Sequence, residues 1–234
     1  MKFSHKTRVV ISSLKETYIK SVMMSVLGLS LIGLSGCNYV ITLGYLIGGP
    51  PSIQPEYDRE TGKSLSDKDV VVAVVCDAGD NVKFAFSAVD LEIAKYVSYR
   101  LTENKVKVIN PDYVSDWLDQ NDEWTEPTEI GVALNATHIV YIDLSDFSLY
   151  EKQSTTLFRG RAEAIVSVYE IDEDDEGEKI FSQELTSMYP LAVPKETSEE
   201  SYPTFKRKYL ARLSSEIGRN FYQHYNGDDI VDAM

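Results

Sequence analysis

Asp172, Asp174 and Glu176 alternate along one short run and Gly177 follows them, so four positions of a calcium-binding loop are in place. A hard cation needs several carboxylate oxygens around one centre, and the twelfth loop position must supply a bidentate glutamate. Here that position is Gln183, and strand-like sequence flanks the run on both sides. The run therefore reads as a solvated hairpin turn, with glycine where positive φ is cheap, and no metal is expected. Histidine chemistry is equally sparse. His138 and His224 have no second histidine, cysteine or carboxylate at ligand spacing, and His224 near a helix C-terminus suits the dipole. Gly62-Lys63-Ser64 invites a phosphate-loop reading, which fails because Tyr57 stands where the upstream glycine belongs. Cys76 ends the apolar run Val70-Val71-Val72-Ala73-Val74-Val75, where a small thiol packs as a hydrophobe. A nucleophile elbow and a dinucleotide glycine pattern are both missing from the sequence. The expectation is no catalytic residue, no cofactor and no enzyme; an active site would have to converge around His138 with Asp143 or Asp146.

Cys37 is different, because a modification chemistry is written around it. Lys2, Lys6, Arg8, Lys15 and Lys20 precede an uncharged run from Val22 to Leu34, and Ser35-Gly36 then lead to the cysteine. Basic region, short apolar region and small-residue cleavage site are the layout of an exported precursor. Leu34-Ser35-Gly36-Cys37 resembles the lipobox of bacterial lipoproteins. The resemblance implies that residues 1–36 are a removed signal peptide and that Cys37 is lipidated. A transmembrane anchor is the alternative, but thirteen residues fall short of the ~20 that a spanning helix needs. Asn38 follows the cysteine where an aspartate would favour inner-membrane retention, so the resemblance implies an outer-membrane, periplasm-facing location.

Charge narrows the partners. The chain carries 23 basic and 37 acidic residues; removal of residues 1–36 takes five and one of these, leaving 18 and 36 and a net charge of −18. Such a body repels nucleic acid and anionic headgroups, so nucleic acid is not an expected partner. With Cys37 lipidated, Cys76 has no disulfide partner left.

The elements that would position any site follow from the hydrophobic period. Residues 37–67 read as the lipidated N-terminus and a flexible tether. Within it Tyr39–Ile47 is apolar, and suits the bilayer interface, the protein body or a partner equally. The folded body is expected over 68–225. Val70–Cys76 is a β-branched run typical of a strand covered on both faces. Ser87 and Asp90 have capping-box spacing before a helix to Glu103, with Val89, Ile93, Val97 and Leu101 as its core stripe. Lys105–Ile109 reads as a second strand, Asn110-Pro111 as a helix start, and Ile130, Ala133 and Leu134 as a further short helix. Strands follow at 138–149, 159–171 and 178–189. A last helix from Pro203 to Tyr225 carries Phe205, Tyr209, Leu213, Ile217 and Phe221, and 226–234 is an acidic tail. The order β-α-β-α-α-β-β-β-α predicts a single layered α/β domain, a mixed β-sheet with helices packed on it.

Two surfaces are candidates for partner binding. Phe147, Leu149, Tyr150, Leu157 and Phe158 surround the connection between two long strands, where polar turn residues are the rule; they are either core under a helix or a patch for association. Lys206, Arg207 and Lys208 stand out on an acidic chain, either as a docking face or as a solvated helix face offset by Glu199, Glu200 and Glu216.

The opening strand, its helix and Lys105-Val106-Lys107-Val108-Ile109-Asn110-Pro111 resemble the TolB N-terminal-like α/β fold, shared by envelope lipoproteins of the CsgG, PelC and LpoB type. Ala133-Leu134-Asn135-Ala136-Thr137-His138-Ile139-Val140 follows the group's phrase before a strand, with Thr137 where aspartate is common. Asp172, Gly177 and Glu178 fit its hairpin turn. The resemblance implies a non-enzymatic accessory of an envelope assembly, secretion or transport complex. Its expected partners are the membrane through the lipid anchor, envelope proteins and further copies of itself. A periplasmic lipoprotein binding a small ligand or lipid is the alternative.

Overall fold

The computed structural model describes residues 52–172 and 174–225, together with Tyr18, Met23, Met24, Gly44 and Leu46. The chain divides into two compact units, Met1–Pro51 and Ser52–Met234; the signal peptide apart from Tyr18, Met23 and Met24, together with Cys37 and the acidic tail, lies outside the described residues. Among the described residues no helix is long and apolar enough to cross a membrane.

Strand β2 (Val72–Ala78) is buried on both faces, as its β-branched run requires, and pairs in parallel with β3 (His138–Tyr150), Val74 opposite Val140 and Cys76 opposite Ile142. Parallel neighbours need a crossover. It is made of α2 (Asp80–Ala85), α3 (Val89–Glu103), α4 (Pro111–Gln120) and α5 (Pro127–Leu134). An antiparallel meander completes the sheet: β4 (Leu157–Ile171) pairs β3, and β5 (Gly177–Tyr189) pairs β4. The order is β2-β3-β4-β5, with β6 (Lys195–Glu196) on the start of β4. The mixed sheet and its helices are the architecture that the order of elements predicted.

Two cores cover the two sheet faces. On one, Val74, Cys76, Val140, Ile142 and Val166 meet the α3 stripe Ile93, Val97 and Leu101. Helix α6 (Tyr202–Gly218) joins that core through Phe205, Tyr209, Leu213 and Ile217. On the other, Ala73, Val75 and Ile139 pack with Val114 of α4 and Ile130 of α5. Asn110 caps α4 by accepting the Asp112 amide proton at 2.9 Å.

Four expectations are corrected. The second strand shrinks to a single parallel bridge, Val72 to Val108. Lys105 sits at φ 68° and Pro111 starts α4, so little extended chain is left between the two. The capping box at Ser87 is absent: Ala88 is the N-cap of α3, without a side-chain bond, and the unanticipated α2 precedes it. The last helix stops at Gly218, and a turn leads to β7 (His224–Tyr225), paired with β1 (Ser52–Ile53). That pairing also moves the start of the body from Lys68 to Ser52. Residues 52–67 are not a tether: α1 (Glu56–Thr61) places the buried Tyr57 ring 5.6 Å from Phe181 and 5.9 Å from Phe221. A single aromatic anchor among polar neighbours leaves no periodic pattern to read.

Candidate functional site

Three of the five residues of the first candidate surface are core. Phe147, Leu149 and Phe158 are buried, and Tyr150 and Leu157 half-buried. Phe158 stacks on Phe205 of α6 at 4.9 Å, and Phe147 lies 5.7 Å from Tyr209. The aromatic residues around this connection are there because α6 covers them. Association through the faces of Phe147, Leu149 or Phe158 is thereby excluded while α6 is in place.

The cationic run is divided among carboxylates. Lys206 Nζ reaches Glu92 Oε2 of α3 at 2.6 Å, Lys208 pairs with Glu200, and Arg207 is exposed. Lys206 thus ties α6 to α3, and the charges of Glu92 and Glu200 offset two of the three cations.

The acidic turn uses its first carboxylate internally. Asp172 Oδ1 accepts the amide protons of Asp174 at 3.0 Å and Glu176 at 2.9 Å, which closes the β4–β5 hairpin. Among the described residues, no group of three His, Cys, Asp or Glu side chains is placed to hold a metal.

His138 starts β3 and is buried. Its Nδ1 is 3.0 Å from Thr137 Oγ1 and its Nε2 is 3.8 Å from Glu170 Oε1. Burial holds the imidazole pKa below its usual value, against the pull of Glu170. Thr137 is occupied as a clamp: its Oγ1 accepts the Val71 amide proton at 2.9 Å and donates to the Val71 carbonyl at 3.2 Å. Asp143 lies five residues along β3, roughly 17 Å from His138 at the usual strand rise, and Asp146 lies further still. The structure does not bring these three together. Cys76 is buried, and desolvation with the nearby Asp90 and Asp77 charges pushes its thiol pKa well up, the opposite of an activated nucleophile.

A surface that the sequence reading missed lies at one end of the sheet. Strands β2, β3 and β5 run in one direction, so α2, the β3–β4 connection and loop 190–194 gather at their C-terminal ends. Phe84 is 93 % exposed there, Val193 72 % and Leu191 52 %. Arg159 holds the loop by donating to the Ala192 carbonyl at 3.3 Å. The signal was present as apolar residues bracketed by Pro190 and Pro194, where a solvated loop would be polar. The chain enters the body at the opposite end: β1 pairs β7, the Tyr57 amide donates to the Asn220 carbonyl at 3.0 Å, and Lys63 pairs with Glu170 beside the start of β3.

No family model matches the chain, and no curated protein sequence matches it. Solved structures do. The lipoprotein GNA1162 from Neisseria meningitidis is 11 % identical, with 62 % of this chain and 96 % of that chain covered and a TM-score of 0.40. The PelC dodecamer from Paraburkholderia phytofirmans is 10 % identical, with 74 % and 98 % covered and a TM-score of 0.36. The hypothetical protein CT253 from Chlamydia trachomatis is 13 % identical, with 63 % and 97 % covered and a TM-score of 0.37.

Proposed function

We propose that this chain is a lipid-anchored cell-envelope interaction protein, a non-enzymatic accessory subunit of an envelope assembly, secretion or transport complex. The observation that carries the reading is the polarity of the body: the chain enters at one end, and Phe84, Leu191 and Val193 stand exposed at the other. Leu191 and Val193 share one loop after β5, and Phe84 stands at the same end of the sheet beside β2; large exposed apolar side chains of this kind are candidates for protein contacts. The acidic body is unsuited to nucleic acid or anionic lipid, and an envelope protein is the partner that this geometry favours.

The ligand-binding alternative needs a chamber between sheet and helices. Where β2, α3 and α4 meet, the space is only about 10 Å³; the roomier cavity, about 450 Å³ between α3, α6 and Tyr189, is lined by Arg100, Lys208, Arg212 and Glu216, a charged lining unlike the mostly apolar walls of small-molecule sites.

Labelling cells with radioactive palmitate tests the anchor. Label enters the wild-type chain and is lost from Cys37→Ser, which also leaves the membrane fraction. Equal membrane retention of the two chains overturns the reading.

A further inference from the structure

The sheet edge outside β2 is the second surface without an assigned role. The Val72 amide donates to the Lys107 carbonyl at 2.9 Å, and the Ile109 amide donates to the Val72 carbonyl at 2.8 Å. In a parallel ladder the residue between those two groups turns its own N–H and C=O the other way. Val108 therefore presents one donor and one acceptor outward, and neither has a partner among the described residues. Such an edge is a template for a further strand.

Facing it is α3. Between them runs a groove of about 330 Å³ whose α3 wall is Lys95, Ser98, Tyr99 and Thr102 and whose other wall includes Val108 and Ile109. Ser98 is 2 % exposed and its hydroxyl has no hydrogen-bond partner. Buried polar groups are normally satisfied, so an orphan of this kind calls for an explanation. Tyr99 is 62 % exposed and provides an aromatic flank. The ammonium of Lys95, shared with Asp112 at 3.0 Å, is the single ionic group in the lining, where carboxylates are absent.

We infer that this groove binds an extended peptide segment of a partner protein, added as a strand on Val108 and covered by α3. Main-chain bonds to Val108 supply the pairing, and alternate side chains of the peptide enter the groove, the arrangement of strand addition beside a helix. The lining selects apolar side chains, with a carboxylate at the position facing Lys95. This surface lies at the β2 edge, apart from the apolar end on which the function above rests, and stands or falls separately.

A display library of short random peptides, selected against the full-length chain, tests it. The enriched peptides alternate apolar residues, carry an acidic residue, lack proline, and bind about tenfold more weakly when their paired amides are methylated. Val108→Pro deletes the outward N–H while sparing both bonds to Val72, and weakens binding by a similar factor; the circular dichroism spectrum checks that it folds. Tyr99→Ala, at an exposed position, is the second variant and loses affinity in the same direction. No enrichment above library background overturns the proposal, as does binding indifferent to both variants and to methylation. Sedimentation of the chain alone supplies the remaining arm: self-association abolished by Val108→Pro assigns the groove to a second copy and overturns the partner peptide.

Discussion

Gly160 of β4 lies against the ring of Tyr209 of α6, so close that a β-carbon at that position would collide with the ring carbons. The strand has no side chain there because the buried tyrosine occupies its place. Helix α6 sits down on the sheet at this point and encloses Phe147 and Phe158. Gly160→Ala is expected to destabilise the protein by about 1–3 kcal/mol, the usual cost of overpacking, measured as a lower urea midpoint. The loosened helix also exposes the aromatic cluster beneath it, detectable with a hydrophobic dye. An unchanged midpoint would show that α6 is not seated as described.

Tyr57 separates a packed start of the body from a tether. Tyr57→Ala empties a site bounded by Phe181 and Phe221 and is expected to cost about 3–5 kcal/mol, typical of a buried aromatic. A chain whose residues 52–67 were loose would lose nothing. Denaturant unfolding of the variant distinguishes the two.

His138 makes stability depend on pH in a defined direction. Its pKa in the fold lies below the unfolded value of 6.5, because burial disfavours the charged ring more than Glu170 favours it. The fold therefore binds fewer protons at this site than the unfolded chain. Its contribution is fully present above pH 6.5 and is lost as pH falls below that value. The urea midpoint of the wild type should fall more steeply than that of His138→Gln between neutral pH and pH ~5. Parallel curves would remove His138 from the account.

Cys76 should be silent in the native protein. In a Cys37→Ser chain it is the remaining thiol, and its burial and raised pKa keep it from aromatic disulfide reagents until denaturant is added. Rapid labelling without denaturant would show that the β2 region opens.

The parts of the fold legible in the sequence are those with a sustained period. The Val89, Ile93, Val97, Leu101 stripe and the run through Cys76 are local patterns that tertiary packing reinforces. What stayed hidden depends on single residues meeting distant ones. Tyr57 finds Phe181 and Phe221 far along the chain, and β1 pairs with β7 from the other end of the sequence of the body. The aromatic residues near Tyr150 were ambiguous for the same reason, since no local feature says that α6 returns over them. Leu191 and Val193 were readable as apolar residues between prolines, but their company with Phe84 follows only from the common direction of β2, β3 and β5. The Val108 groove combines a lone bridge with an orphan hydroxyl, neither of which has a sequence signature.

Site-specific crosslinking in intact cells tests the interaction reading most directly. A photoreactive residue at Val193 should yield discrete adducts with an envelope protein, and the same residue at Gln54, where the chain enters the body, should yield few. Equal adducts from both positions, or none from Val193, would contradict a partner seated on the exposed apolar end.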